Sequence, residues 1–138
     1  MGQLDAILAF NGMAILLVSL IAGVLLYRVL LRQDEPHDWH LLHAGGSGRG
    51  VMLLALAATI HLADLPSWLL AASVCGVIFF AWGSTISMII TGITGEHGFS
   101  LSGSPINRFA HVLYVAGAIA VFPAVTILLL GFWRHVFG

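Results

Sequence analysis

Lysine is missing from this sequence altogether, and five arginines stand against six acids in 138 residues. Charged residues make up 8% of the chain, where an ordinary soluble domain carries roughly a quarter. No basic surface can be assembled from so few cations, so nucleic acid is excluded as a partner. Cysteine occurs once, as Cys75 inside an apolar run, which excludes an intrachain disulfide and leaves packing as its expected role. Internal repeats and low-complexity tracts are absent too. The N-terminal MGQLD is acidic and lacks a small-residue cleavage site, so the first apolar run is expected to be a retained span.

What the chain has in excess is apolar side chains: 59% of residues are hydrophobic and the mean hydropathy is +1.02. A soluble fold of this length would expose large apolar patches, which soluble monomers rarely do. The composition therefore reads as an integral membrane protein, all-α, with one membrane domain over 1–138. Crossing the hydrocarbon core takes about 20 mostly apolar residues. Four stretches meet that length, at about 9–31, 44–63, 68–93 and 107–133. They are separated by RQDEPHD, by Asp64-Leu65-Pro66-Ser67, and by a Gly- and Ser-rich segment from Thr94 to Pro105. Pro66 and Pro105 suit helix starts, and Pro123 predicts a kink in the fourth span. Arg28, Arg32, Arg49 and Arg108 fall on one side of such a four-span layout and Arg134 on the other. Cytoplasmic flanks carry the excess of cations, so both termini are expected outside and the first and third loops in the cytoplasm. His37, His40, His43, His97 and His111 gather on or near that cytoplasmic side.

The stretch DEPHDWHLLHAGGSGRG places three of these histidines three residues apart. Imidazoles at that spacing could gather one metal ion, but Pro36 argues against continuous helix through His37, and His37 and His40 read as loop residues. On a helix through 44–63, His43 shares its face with Gly46, Ser47 and Gly50. All three are small, which serves either close approach of another helix or a flat space where a macrocycle could lie with His43 on its iron. On the third span, Ser84, Ser87, Met88 and Thr91 form a polar stripe at i, i+3, i+4 and i+7. Hydroxyls at such positions commonly bond backbone or a neighbouring helix; they could also line a ligand pocket. Arg108 and His111 lie one turn apart on the fourth span. Arg49 and Arg108 suit lipid phosphates or carboxylates such as haem propionates.

The opening NGMAILLVSLIAGVLLY, then Trp39 and His43 ahead of the glycines, Gly50-Val51-Met52 entering an apolar helix, Trp82-Gly83-Ser84, and the GEHGFSLSG loop together resemble the styrene oxide isomerase family over about 120 residues. The resemblance implies a small four-helix membrane protein, trimeric, in the bacterial inner (cell) membrane, with one haem b per subunit near subunit interfaces. In that family the ferric iron acts as a Lewis acid on an epoxide oxygen. A cation develops as the C–O bond opens, and a 1,2-hydride shift gives an aldehyde. The axial histidine matches His43, and a single protein ligand leaves the sixth position open for the substrate oxygen. By the same resemblance Gly46, Ser47, Gly50, Arg49 and Arg108 would contact the haem, and Ser84, Ser87, Met88 and Thr91 would line a pocket for a lipophilic substrate. Two positions depart from the family. Its asparagine near the substrate falls on Arg49, and its cation-flanking tyrosine falls on Met88. An arginine beside a developing cation is repulsive unless neutralised, and a thioether lacks both the phenol's hydrogen bond and its negative ring face. The loop between the first two spans is shorter as well. Styrene oxide itself is therefore not implied as the substrate. Two other functions suit the same residues: a membrane haem protein for electron transfer or gas or haem sensing, with Met88 or His111 as second ligand, and a cofactor-free accessory subunit built on the glycine faces.

Overall fold

The computed structural model describes residues 2–32, 37–95, 101 and 103–138, with His37 and Asp38 as backbone alone. The described residues form four long helices: α1 (Gln3–Leu31), α2 (His37–Thr59), α3 (Ser67–Thr94) and α4 (Pro105–Phe137). A single 3-10 turn, Ile60–Leu62, extends α2. All four helices are long and apolar enough to cross a membrane.

Each helix end has a local cause. The Asp5 carboxylate accepts the Gly2 N–H at 2.8 Å and anchors the start of α1. α3 follows Pro66, and ends at Gly95, whose φ of 68° is the left-handed conformation that lets its N–H reach the Thr91 carbonyl at 2.9 Å. Ser104 caps α4 by accepting the Asn107 N–H at 3.3 Å, with Pro105 directly after it. α2 begins at His37, seven residues ahead of the expected span. Pro36 restrains the residue before it and favours a helix that starts after it, so His40 is helical and exposed rather than a loop residue. α4 runs without a break through Pro123.

The chain packs as two helical hairpins, α1 against α2 and α3 against α4, joined chiefly along α2 and α3 and more lightly between α1 and α3. α4 packs chiefly on α3 and also meets the turn that follows α2. Small residues allow the helices to close up. A Cβ on Gly12 would lie 2.9 Å from the Gly50 carbonyl oxygen, and one on Gly50 would lie 3.0 Å from that of Gly12, so α1 and α2 touch backbone to backbone. Gly83 and Gly117 do the same for α3 and α4, against the Leu113 carbonyl and the Phe80 Cα. The core runs through Leu8 and Ile15 of α1, Leu53 and Ala57 of α2, Val74, Val77 and Ala81 of α3, and Ala124 and Leu128 of α4. Large apolar side chains also point outward, with Phe10 75% and Phe122 73% exposed, as expected of helices whose outer surface faces lipid. Trp82 Nε1–H donates to Asn11 Oδ1 at 2.7 Å, a polar bridge that ties α3 to α1 through this apolar body.

Candidate functional site

His43 stands half-buried on α2 at the seam with α1. Its Nδ1 lies 2.8 Å from the Ser19 carbonyl oxygen. A carbonyl can only accept, so Nδ1 carries the proton and donates it, which leaves Nε2 with its lone pair. Ser19 holds the other end of the same residue: its hydroxyl donates to the His43 carbonyl at 2.5 Å, joined there by the Ser47 hydroxyl at 2.7 Å. The two hydroxyl oxygens are themselves 2.7 Å apart. The ring rests on bare backbone, because a Cβ on Gly23 would sit 2.8 Å from Nδ1 and 2.9 Å from Cε1. His43 is thus fixed in tautomer and in direction by three residues of two helices.

The small face beside it is not open. Gly46 meets the Ser19 Cβ, with 3.1 Å left for a side chain, and Gly50 meets Leu16 and Gly12. Of the two uses foreseen for Gly46, Ser47 and Gly50, the close helix contact is the one observed. α1 covers that face of α2. The neighbouring glycine Gly48 faces outward with nothing within 4 Å.

Arg49 lies six residues beyond His43, about 120° away around the helix axis, and faces α3 instead of α1. Its Nη2 donates to Met88 Sδ at 3.3 Å. Its Nε is buried with no hydrogen-bond partner. The guanidinium folds back along its own helix, so that a Cβ on Gly45 would be 3.1 Å from Nη1. Tyr114 of α4 is close enough to interact electrostatically with it. The two positions that depart from the family pattern therefore touch one another, on a face of α2 separate from that of His43.

The rest of the α3 stripe is engaged with backbone. Ser84 donates to the Phe80 carbonyl at 2.7 Å, Thr91 to that of Met88 at 3.1 Å, and Ser87 crosses to the Ala110 carbonyl of α4 at 2.8 Å. Met88 offers its side chain toward α2. Arg108 is exposed, and His111 lines a shallow surface groove with Leu101, Val112, Val115, Ala116 and Ile119. Neither is brought to His43. Among the described residues no three of His, Cys, Asp and Glu cluster as a metal site, while the His37 side chain and His97 lie outside those residues. Reasoning on the sequence missed Ser19 and Gly23, the partners of His43. Their signal was present as small residues at helical spacing, Gly12, Ser19 and Gly23, within an α1 otherwise rich in Leu, Ile and Val. Trp39, one of the residues that carry the family resemblance, packs its indole over Gly92, where a Cβ would lie 3.2 Å from the ring.

Among the described residues, four helices of membrane-spanning length and an imidazole, His43, that a backbone carbonyl orients mark the chain as a helical membrane protein. The family model for styrene oxide isomerases matches residues 4–133, and the chain belongs to that family. No curated protein matches it.

Proposed function

We propose that the protein is a haem b-dependent membrane isomerase that rearranges a lipophilic epoxide to a carbonyl compound, acting as a homotrimer. The observation that supports it most is the state of His43. Donation of Nδ1–H to the Ser19 carbonyl is the partnership that metal-ligating histidines use to fix their tautomer and raise the basicity of the other nitrogen. His43 would hold the iron through Nε2. When bound, ferric haem supplies a Lewis acid that polarises the epoxide oxygen without net electron transfer.

The chain's own residues divide the remaining work. Ser19 and Gly23 hold the imidazole against rotation. Arg49 and Met88 form the substrate-handling pair. Because they face away from His43 within one chain, a site that uses both sets would draw on a neighbouring copy; the trimer is the assembly that the family resemblance implies. Arginine placement supports an orientation with both termini outside and the first and third loops in the cytoplasm. The cell membrane of a bacterium is the location proposed with it. An electron carrier ligated by His43 and Met88 is disfavoured, because Met88 Sδ is turned to Arg49.

An optical spectrum of the purified protein tests the proposal. We expect a Soret band in protein from haem-replete cells, its loss in His43→Ala, and turnover of a panel of terminal and aryl epoxides to carbonyl products. Colourless protein, or a His43→Ala variant with an unchanged band, refutes it.

A further inference from the structure

We propose that Arg49 determines specificity by receiving an oxyanion, so that the ligand it selects is a lipophilic molecule that carries a carboxylate. A guanidinium inside an apolar span needs a counter-charge or water, since an uncompensated charge there is strongly disfavoured. The carboxylates among the described side chains, Asp5 and Asp64, are both remote. Asp64 lies beyond the end of α2, whose last residue Thr59 is already about 15 Å along the axis from Arg49, and Asp5 stands at the start of α1. What the structure offers instead is the Met88 thioether, a weak acceptor, for one of five donors, and the nearby Tyr114, a phenol and not a carboxylate. Nε, buried, has nothing. The group is prepared for a ligand it does not find within the described chain.

The depth of Arg49 narrows the source of that ligand. The membrane span of α2 runs from Trp39 to Leu62, which puts the Arg49 backbone about 15 Å along the axis from Trp39. Folding back to the level of Gly45 recovers about 6 Å of that. On a span that begins at Trp39 the guanidinium then lies about 9 Å in, a depth that a molecule partitioning into the bilayer reaches most readily. A carboxylate matches the guanidinium fork with two parallel hydrogen bonds. It would also remove the objection to an arginine beside epoxide chemistry, because a neutralised pair does not repel a developing cation. Naming that molecule as the epoxide substrate rests on the isomerase reading; the anion site by itself does not.

The test uses full-length protein in a nonionic detergent, titrated with dodecanoate, dodecanol and phosphatidylglycerol and followed by the rise in Tm. Dodecanoate should bind at least ~10-fold more tightly than dodecanol, and Arg49→Gln should weaken dodecanoate by about 10- to 100-fold while leaving dodecanol within about twofold. Met88→Glu, which supplies an anion from within, should abolish the preference even if Arg49→Gln folds poorly. Equal binding of acid and alcohol, or a preference that survives in Arg49→Gln, overturns the inference. So does an Arg49-dependent response confined to phosphatidylglycerol, which would assign the site to lipid phosphate. Selectivity present in haem-free protein and lost on haem loading would assign Arg49 to a propionate and overturns it equally. Protein without a Soret band that still selects dodecanoate defeats the isomerase reading alone. Haem-loaded protein without selection, whose haem-free form also shows none, defeats this inference alone.

Discussion

Replacing Gly23 with alanine should detach the imidazole from its support while leaving the rest of the bundle in place. The new Cβ would fall 2.8 Å from Nδ1 and 2.9 Å from Cε1 of His43, against an ordinary contact of about 3.5 Å. The ring must then retreat by roughly 0.6 to 0.7 Å to reach that contact distance. It cannot do so with its backbone, because the His43 carbonyl is held by the Ser19 and Ser47 hydroxyls. The retreat stretches the 2.8 Å bond to the Ser19 carbonyl beyond the useful limit of about 3.2 Å. Losing that bond is worth about 1 kcal/mol, and overfilling the contact adds about 1–3 kcal/mol. For a ligating histidine deprived of its orienting partner, metal affinity falls about 10- to 100-fold. Haem titration of the purified variant, read at the Soret band alongside Tm, measures both effects. Gly48→Ala is the matched control, since nothing lies within 4 Å of its Cβ position. It should leave haem affinity unchanged. A Gly23→Ala protein with wild-type affinity and spectrum would refute the argument that this bare backbone seats the ring.

Gly50→Ala places a Cβ 2.6 Å from Leu16 Cγ and 3.0 Å from the Gly12 carbonyl, so it should destabilise the α1–α2 hairpin by about 1–3 kcal/mol, visible as a lower Tm in detergent. Trp82→Phe removes the 2.7 Å bond to Asn11 and should cost about 0.6 kcal/mol and at most about 1.7. In a double-mutant cycle with Asn11→Ala the two losses should not add. His43→Ala should abolish haem uptake without a comparable fall in the Tm of the haem-free protein, checked by spectrum and melting curve together.

The spans were legible because hydropathy and length are properties of single segments. The start of α2 was not, because its first turns are His-Asp-Trp-His, which no apolar count registers as helix. His43 could be separated from His37 and His40 by periodicity, since face membership follows from spacing along one helix. What fills the face of Gly46, Ser47 and Gly50 could not be settled in that way. Small residues suit a neighbouring helix and a flat cofactor equally, and the answer depends on Gly12, Ser19 and Gly23 of α1 meeting them in register. The Arg49–Met88 contact was still further out of reach. It joins residues 39 apart through the relative rotation of two helices, a quantity no local pattern encodes.

The Arg49–Met88 contact carries a consequence for how such a protein changes over time. A residue at 49 that has lost its neighbour's compatible shape or polarity leaves a buried donor exposed to hydrocarbon, so positions 49 and 88 are expected to be exchanged together. His43 looks the other way, onto Ser19 and Gly23, and is insulated from that exchange. Ligand preference can therefore drift, or be reprogrammed in a two-position library, without renegotiating the imidazole seat.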